Sequence, residues 1–101
     1  MEKRTPHYLL EEVKEYVAMK GINAFTMTAR KNGFALGLTQ AELVATVLAL
    51  TRRDFYKSMT SYNDHKLWQD VYHAPLFNGD TAYVKVSGFE TGRPVIQFKE
   101  L

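Results

Sequence analysis

Tyr83, Lys85 and Lys99 occupy alternate positions of two segments whose other positions are mostly apolar. Ala82, Val84 and Val86 share one parity, while Thr81, Tyr83, Lys85 and Ser87 share the other. Pro94, Ile96 and Phe98 likewise alternate with Val95, Gln97 and Lys99. A period of two marks a strand with one face in a core, which leaves Tyr83, Lys85 and Lys99 on an open face. Lys57, with Tyr72 or Trp68, would extend that face into a cationic surface interleaved with aromatic rings. Ammonium groups neutralise phosphates and aromatic rings stack unpaired bases, so the chemistry suggested is contact with single-stranded nucleic acid. A solvated sheet face carries the same residue types, and spacing alone does not separate the two readings. Nor does spacing aim Lys57 or Gln69. Lys57 shares parity with Phe55 and Met59, and Gln69 with Leu67 and Val71, so both faces of those segments are mixed.

Other chemistries find less support. His7, His65 and His73 are scattered and lack a carboxylate at ligand spacing, so no metal site is expected. Asp64 and His65 are titratable neighbours, but in a turn. No glycine-rich dinucleotide or phosphate loop occurs, nor a Gly-x-Ser-x-Gly elbow, and no cofactor is implied. The chain has no cysteine, which excludes disulfides and thiolate chemistry and suits a reducing compartment. No apolar run approaches the roughly 18 residues of a membrane span. The net charge of +2 includes no basic tail and no acidic block.

The elements that must position these residues are legible in outline. At 101 residues the chain has room for one domain, expected over residues 1–101. Thr5 is suited to cap a helix with Pro6 at its first position. Leu9, Leu10, Val13, Tyr16 and Val17 then recur at helical spacing until Gly21. Residues 27 to 36 read as weakly helical, interrupted by Gly33. Thr39-Gln40-Ala41-Glu42 is a capping box, followed by the stripe Leu43, Val44, Val47 and Leu48, with Arg52 and Arg53 beyond its end. From residue 54 the texture changes. Nine of the 13 aromatic residues lie in residues 51–101, and Phe55 to Thr60, Leu67 to Phe77, Thr81 to Ser87 and Pro94 to Lys99 read as strands. Their short connections, with Asn78-Gly79 the strongest hairpin signal, imply an antiparallel meander. Helices first and a sheet second is an α+β arrangement, with N-terminal helices on one face of a C-terminal antiparallel sheet.

Several stretches resemble one family. Met1-Glu2-Lys3-Arg4-Thr5-Pro6-His7, Asp54-Phe55-Tyr56-Lys57-Ser58-Met59-Thr60, Trp68-Gln69-Asp70-Val71-Tyr72 and Phe98-Lys99-Glu100 are similar to the motility quorum-sensing regulator (MqsR) toxins. The resemblance runs end to end, and residues 54 to 72 are its most specific block. It implies a RelE-like toxin fold and a metal-independent endoribonuclease of the cytoplasm that cleaves messenger RNA at short GC-containing triplets such as GCU. It also implies a cognate MqsA-type antitoxin, a zinc-binding helix-turn-helix protein. The family's proposed catalytic lysine, glutamine and tyrosine fall on Lys57, Gln69 and Tyr83, and a further functional lysine falls on Lys99; with Lys99, the open-face Lys85 and the turn residue His65 are the expected RNA-binding residues. The chain departs from the family at His73-Ala74-Pro75, read as the loop after the second strand, and at the hairpin from Gly88 to Gly92.

On that reading the ribose 2′-hydroxyl is the nucleophile. Lys57 and Lys99 would stabilise charge on the phosphorane, Tyr83 would move a proton or fix the phosphate, and Gln69 would hold the nucleotide. Clustered lysines depress one another's pKa and a nearby cation lowers that of tyrosine, so the cluster itself is expected to supply a base, with His65 as the other proton carrier. The alternative is a non-catalytic RNA-binding or protein-interaction module using the same open face.

Overall fold

The computed structural model describes residues 1–101. Helices α1 (Leu10–Lys20), α2 (Met27–Ala35) and α3 (Gln40–Leu48) precede most of a sheet built from β1 (Glu2–Lys3), β2 (Phe55–Thr60), β3 (Trp68–Pro75), β4 (Thr81–Ser87) and β5 (Val95–Glu100). The sheet order is β1-β2-β3-β4-β5, and every pairing is antiparallel. This is the expected α+β arrangement, consistent with a RelE-like fold. The helices cover one face. Val13 and Val17 of α1 and Leu43 and Val47 of α3 are fully buried, in one core cluster with Tyr72, Val84, Val86, Ile96 and Phe98 of the sheet. No helix is long and apolar enough to cross a membrane.

The start of α1 differs from the sequence expectation. Thr5 and Pro6 do not cap it; the helix begins at Leu10, and Leu9 offers no side-chain cap. The wholly buried Asp70 on β3 competes for the preceding backbone. Its carboxylate accepts the N–H of His7 at 3.0 and 2.9 Å and that of Tyr8 at 2.8 Å. A buried carboxylate must be hydrogen-bonded, and this anchorage holds residues 7 and 8 out of a helix. The same anchorage lets Glu2 and Lys3 pair with Met59 and Ser58 as β1, a strand too short to show in the sequence.

The other helices follow local chemistry. Thr26 caps α2 by accepting the N–H of Ala29 at 3.0 Å. Gly33, which reads as an interruption, is instead a packing residue, because a Cβ there would collide with Leu43 of α3. The capping box at Thr39 and Glu42 forms, with both hydrogen bonds in place. Arg52 and Arg53 do not serve the end of α3; they lie in a 3-10 turn at Arg52–Asp54, and Lys14 of α1 donates to the Leu50 carbonyl at 2.6 Å. The hairpin at Asn78-Gly79 forms with Gly79 at φ +92°, a conformation that favours glycine. The residues His73-Ala74-Pro75 are not a loop but the end of β3.

Candidate active face

Strand register decides which side chains share a surface. On the covered face Ser58 lies opposite Asp70, which lies opposite Val86 and then Ile96. One residue along each strand the row becomes Lys57, Val71, Lys85 and Gln97, on the open face. Flanking rows hold Met59 and Gln69 on one side and His73, Tyr83 and Lys99 on the other. Lys57, Gln69, Tyr83, Lys85 and Lys99 therefore all rise from one surface, although they come from four strands.

Lys57 reaches that surface through a defect in the ladder. The register of β2 against β3 shifts between Phe55 and Lys57, so Phe55 opposes the covered-face Tyr72 while Lys57 opposes Val71. A bulge inserts one extra residue and reverses parity beyond it. The extra residue is Tyr56, whose ring stacks on His73 at 4.3 Å and 21°.

Trp68 and Tyr72 do not join the open face. Tyr72 is wholly buried, edge-on to Phe55 at 5.5 Å, and Trp68 stacks on His7 at 5.4 Å with Lys3 Nζ 4.2 Å over its ring. Both share the parity of Asp70, which the helices and the N-terminal segment cover. The open-face rings are Tyr56 and Tyr83 instead.

Two clefts meet on this face. One, of about 350 Å³, is lined by Tyr83, Lys85, Gln97 and Lys99 of the sheet and by Thr28 and Asn32 of α2. The other, of about 450 Å³, is lined by Met59, Gln69 and Lys85 together with Met1, Tyr62 and His65. Lys85 lines both. Lys99 Nζ lies 4.8 Å from the Tyr83 ring centre. Lys57 donates to the Glu2 carboxylate of β1, an ion pair on the open face. Asp64 does not pair with its neighbour His65: its carboxylate accepts the N–H of Lys66 at 2.9 Å and closes the turn.

The electrostatics reverse one expectation. The Glu2 carboxylate accepts a hydrogen bond from Lys57 and holds that ammonium above the ordinary lysine range. The same contact lowers Glu2. Burial raises the Tyr83 phenol, and the opposing charge of Lys57 does not overcome it. Among the lysines and phenols of this face only Lys85 moves downward, through burial first and the charge of Lys99 second. Mutual repulsion among the lysines therefore does not turn Lys57 or Tyr83 into a base. At neutral pH both keep their protons and act as donors.

The family model described as "Motility quorum-sensing regulator, toxin of MqsA" matches residues 5–100. The chain belongs to this toxin family. It is 40% identical over 100 residues to the mRNA interferase toxin MqsR of Escherichia coli (strain K12), covering 99% of each chain. The family match takes in β2 to β5 of this face, and β1, at Glu2–Lys3, precedes it.

Three residues of this face escaped the sequence reading. Glu2 carries no local signal, because β1 is two residues long. Tyr56 is aimed by a bulge. His73 shares parity with Gln69 and Val71, and that alternation was the available clue.

Proposed function

We propose that the chain is the toxin of a toxin–antitoxin pair, an endoribonuclease that cleaves messenger RNA at short GC-containing triplets such as GCU. The observation that carries this reading is the convergence of Lys57, Gln69, Tyr83 and Lys99 on one solvent-facing surface. A family relative whose name states mRNA interferase activity supports the same reading.

The reaction needs no group from outside the chain and the RNA. The ribose 2′-oxygen attacks the adjoining phosphorus, and the bond from phosphorus to the next 5′-oxygen breaks. The 2′ proton passes to the His65 imidazole, which shares the cleft of Gln69 and Lys85. Tyr83, protonated at neutral pH, donates to the departing 5′-oxygen. Lys57 and Lys99 flank Tyr83 and stabilise the charge that develops on the phosphorane. Gln69 holds the nucleotide, and Lys85, between the two clefts, neutralises a neighbouring phosphate. The products are a 2′,3′-cyclic phosphate and a 5′-hydroxyl. The partner is a zinc-binding, helix-turn-helix antitoxin of the MqsA type, the single domain spans residues 1–101, and the setting is the cytoplasm, where the transcripts are.

The test is incubation of purified protein with GCU-containing RNA in the presence of a metal chelator. Fragments with cyclic phosphate ends are expected. RNA that is retarded but intact would make the chain a binding module. Lys57→Ala, Gln69→Ala and Tyr83→Ala variants that all cleave at the wild-type rate would remove the site. His65→Ala is expected to lose most activity, and full activity would reassign the base. Growth arrest on expression, relieved by a co-expressed antitoxin gene, tests the pairing.

A further inference from the structure

The imidazole of His73 stands on the open face, on the strand between those of Tyr56 and Tyr83. Tyr56, displaced onto this face by the bulge, stacks against it at 4.3 Å and 21°. The Tyr83 ring, opposite His73 on β4, lies 6.4 Å away and is tilted by 40°. Stacking on Tyr56 occupies one face of the ring and leaves its edge, which carries the two nitrogens of an imidazole, out of that contact. His73 is half-buried, so the edge is fixed yet reachable.

The groups that face it are cationic or phenolic. Tyr56 and Lys57 come from β2, Tyr83 and Lys85 from β4, and Lys99 from β5. The Glu2 carboxylate from β1 is already engaged by Lys57. A phosphate bound beside an imidazole favours its protonated form. Binding an anion and gaining a proton at this imidazole are therefore coupled, and the coupling is reciprocal.

We propose that His73 is a phosphate-binding residue of this face, donating a ring N–H from its position stacked on Tyr56 and beside Tyr83 to a phosphate oxygen of RNA, and doing so as the imidazolium. This rests on the reading of the face as an RNA site and adds a contact to it. His73 takes no part in bond making or breaking. A contact made as the imidazolium strengthens the hold on substrate as pH falls.

The test measures binding of a GCU-containing 2′-O-methyl RNA, which lacks the nucleophile and stays intact, at pH 6 and pH 8. Wild-type protein is expected to bind about fivefold to tenfold more tightly at pH 6, the scale of one charge-assisted contact. His73→Gln should bind at pH 6 as weakly as wild type does at pH 8, and its affinity should change little with pH. His73→Arg keeps a planar group in the stack and a permanent charge, so it should bind tightly at both pH values. Thermal melting of each variant checks that the sheet survives. If His73→Gln retains the wild-type dependence on pH, or if His73→Arg binds as weakly as His73→Gln while folded, the proposal is overturned. Cleavage of unmodified RNA is scored separately: wild-type protein that binds with this pH dependence but never cuts would remove the ribonuclease reading and leave the phosphate contact standing.

Discussion

The two faces of β3 are made by the same eight residues and behave as different materials. Asp70, Tyr72 and Ala74 face the helices and are wholly buried. Gln69 and His73, interleaved with them, face outward among lysines and phenols. On the covered face the Asp70 charge is bound by two backbone N–H groups, whereas the neutral Tyr72 and Ser58 hydroxyls find no partner in the protein. On the open face water solvates surplus charge, so three lysines coexist with a single pairing carboxylate. The comparison teaches that one strand can hold a buried core residue and an outward-facing residue of the proposed RNA site one position apart, because the pleat sends them to opposite solvents.

Substitutions can break or sharpen that comparison. Tyr72→Ala on the covered face is expected to have the largest effect, a loss of about 3–5 kcal/mol in urea unfolding. That is a large fraction of the stability of a small domain, so RNA cleavage should vanish with the fold. Lys57→Ala on the open face should lower the cleavage rate about 100-fold, the scale of removing one donor to a developing anion. Its unfolding midpoint should move little, since surface changes usually stay within about 0.5 kcal/mol. A Lys57→Ala protein that is unfolded, or a Tyr72→Ala protein that is folded and inert, would erase the division between the faces.

Alkaline titration separates them further. Burial pushes the Tyr72 phenol up to about 12, so the folded state favours its neutral form. The associated stability is fully present below pH about 10, where the unfolded phenol titrates, and is lost as pH rises through 12. Tyr72→Phe should blunt that loss in unfolding curves taken between pH 9 and 12, while Tyr56→Phe on the open face should not. At neutral pH Tyr72→Phe should raise stability by about 1 kcal/mol, since it removes a buried hydroxyl without a partner. The smallest effect belongs to Glu2→Gln. Freeing Lys57 from its exposed carboxylate should tighten RNA binding by about twofold at low salt, an advantage that disappears as salt is added.

The helices and the strand alternation were legible because their signals are local. The capping box at Thr39 and Glu42 lies within four residues, and the parity of Tyr83, Lys85 and Lys99 follows from the backbone repeat alone. Lys57 and Gln69 were not aimed by pattern, and the family resemblance had to nominate them. The reason is visible in β2, where the bulge beside Tyr56 puts Phe55 and Lys57 on opposite faces despite equal parity. The helix start at Thr5 and Pro6 misled for a related reason: a local cap lost to a carboxylate more than 60 residues away.

Residue order alone established an α+β chain with a cationic, aromatic sheet face and the family to which it belongs. Folding decided which tyrosines are on that face, that Glu2 holds the proton on Lys57, and that His73 stands between two phenols. The first set rests on periodicities within a single segment. The second depends on what a partner strand or a buried neighbour presents, and no stretch of sequence carries that information until the strands are paired.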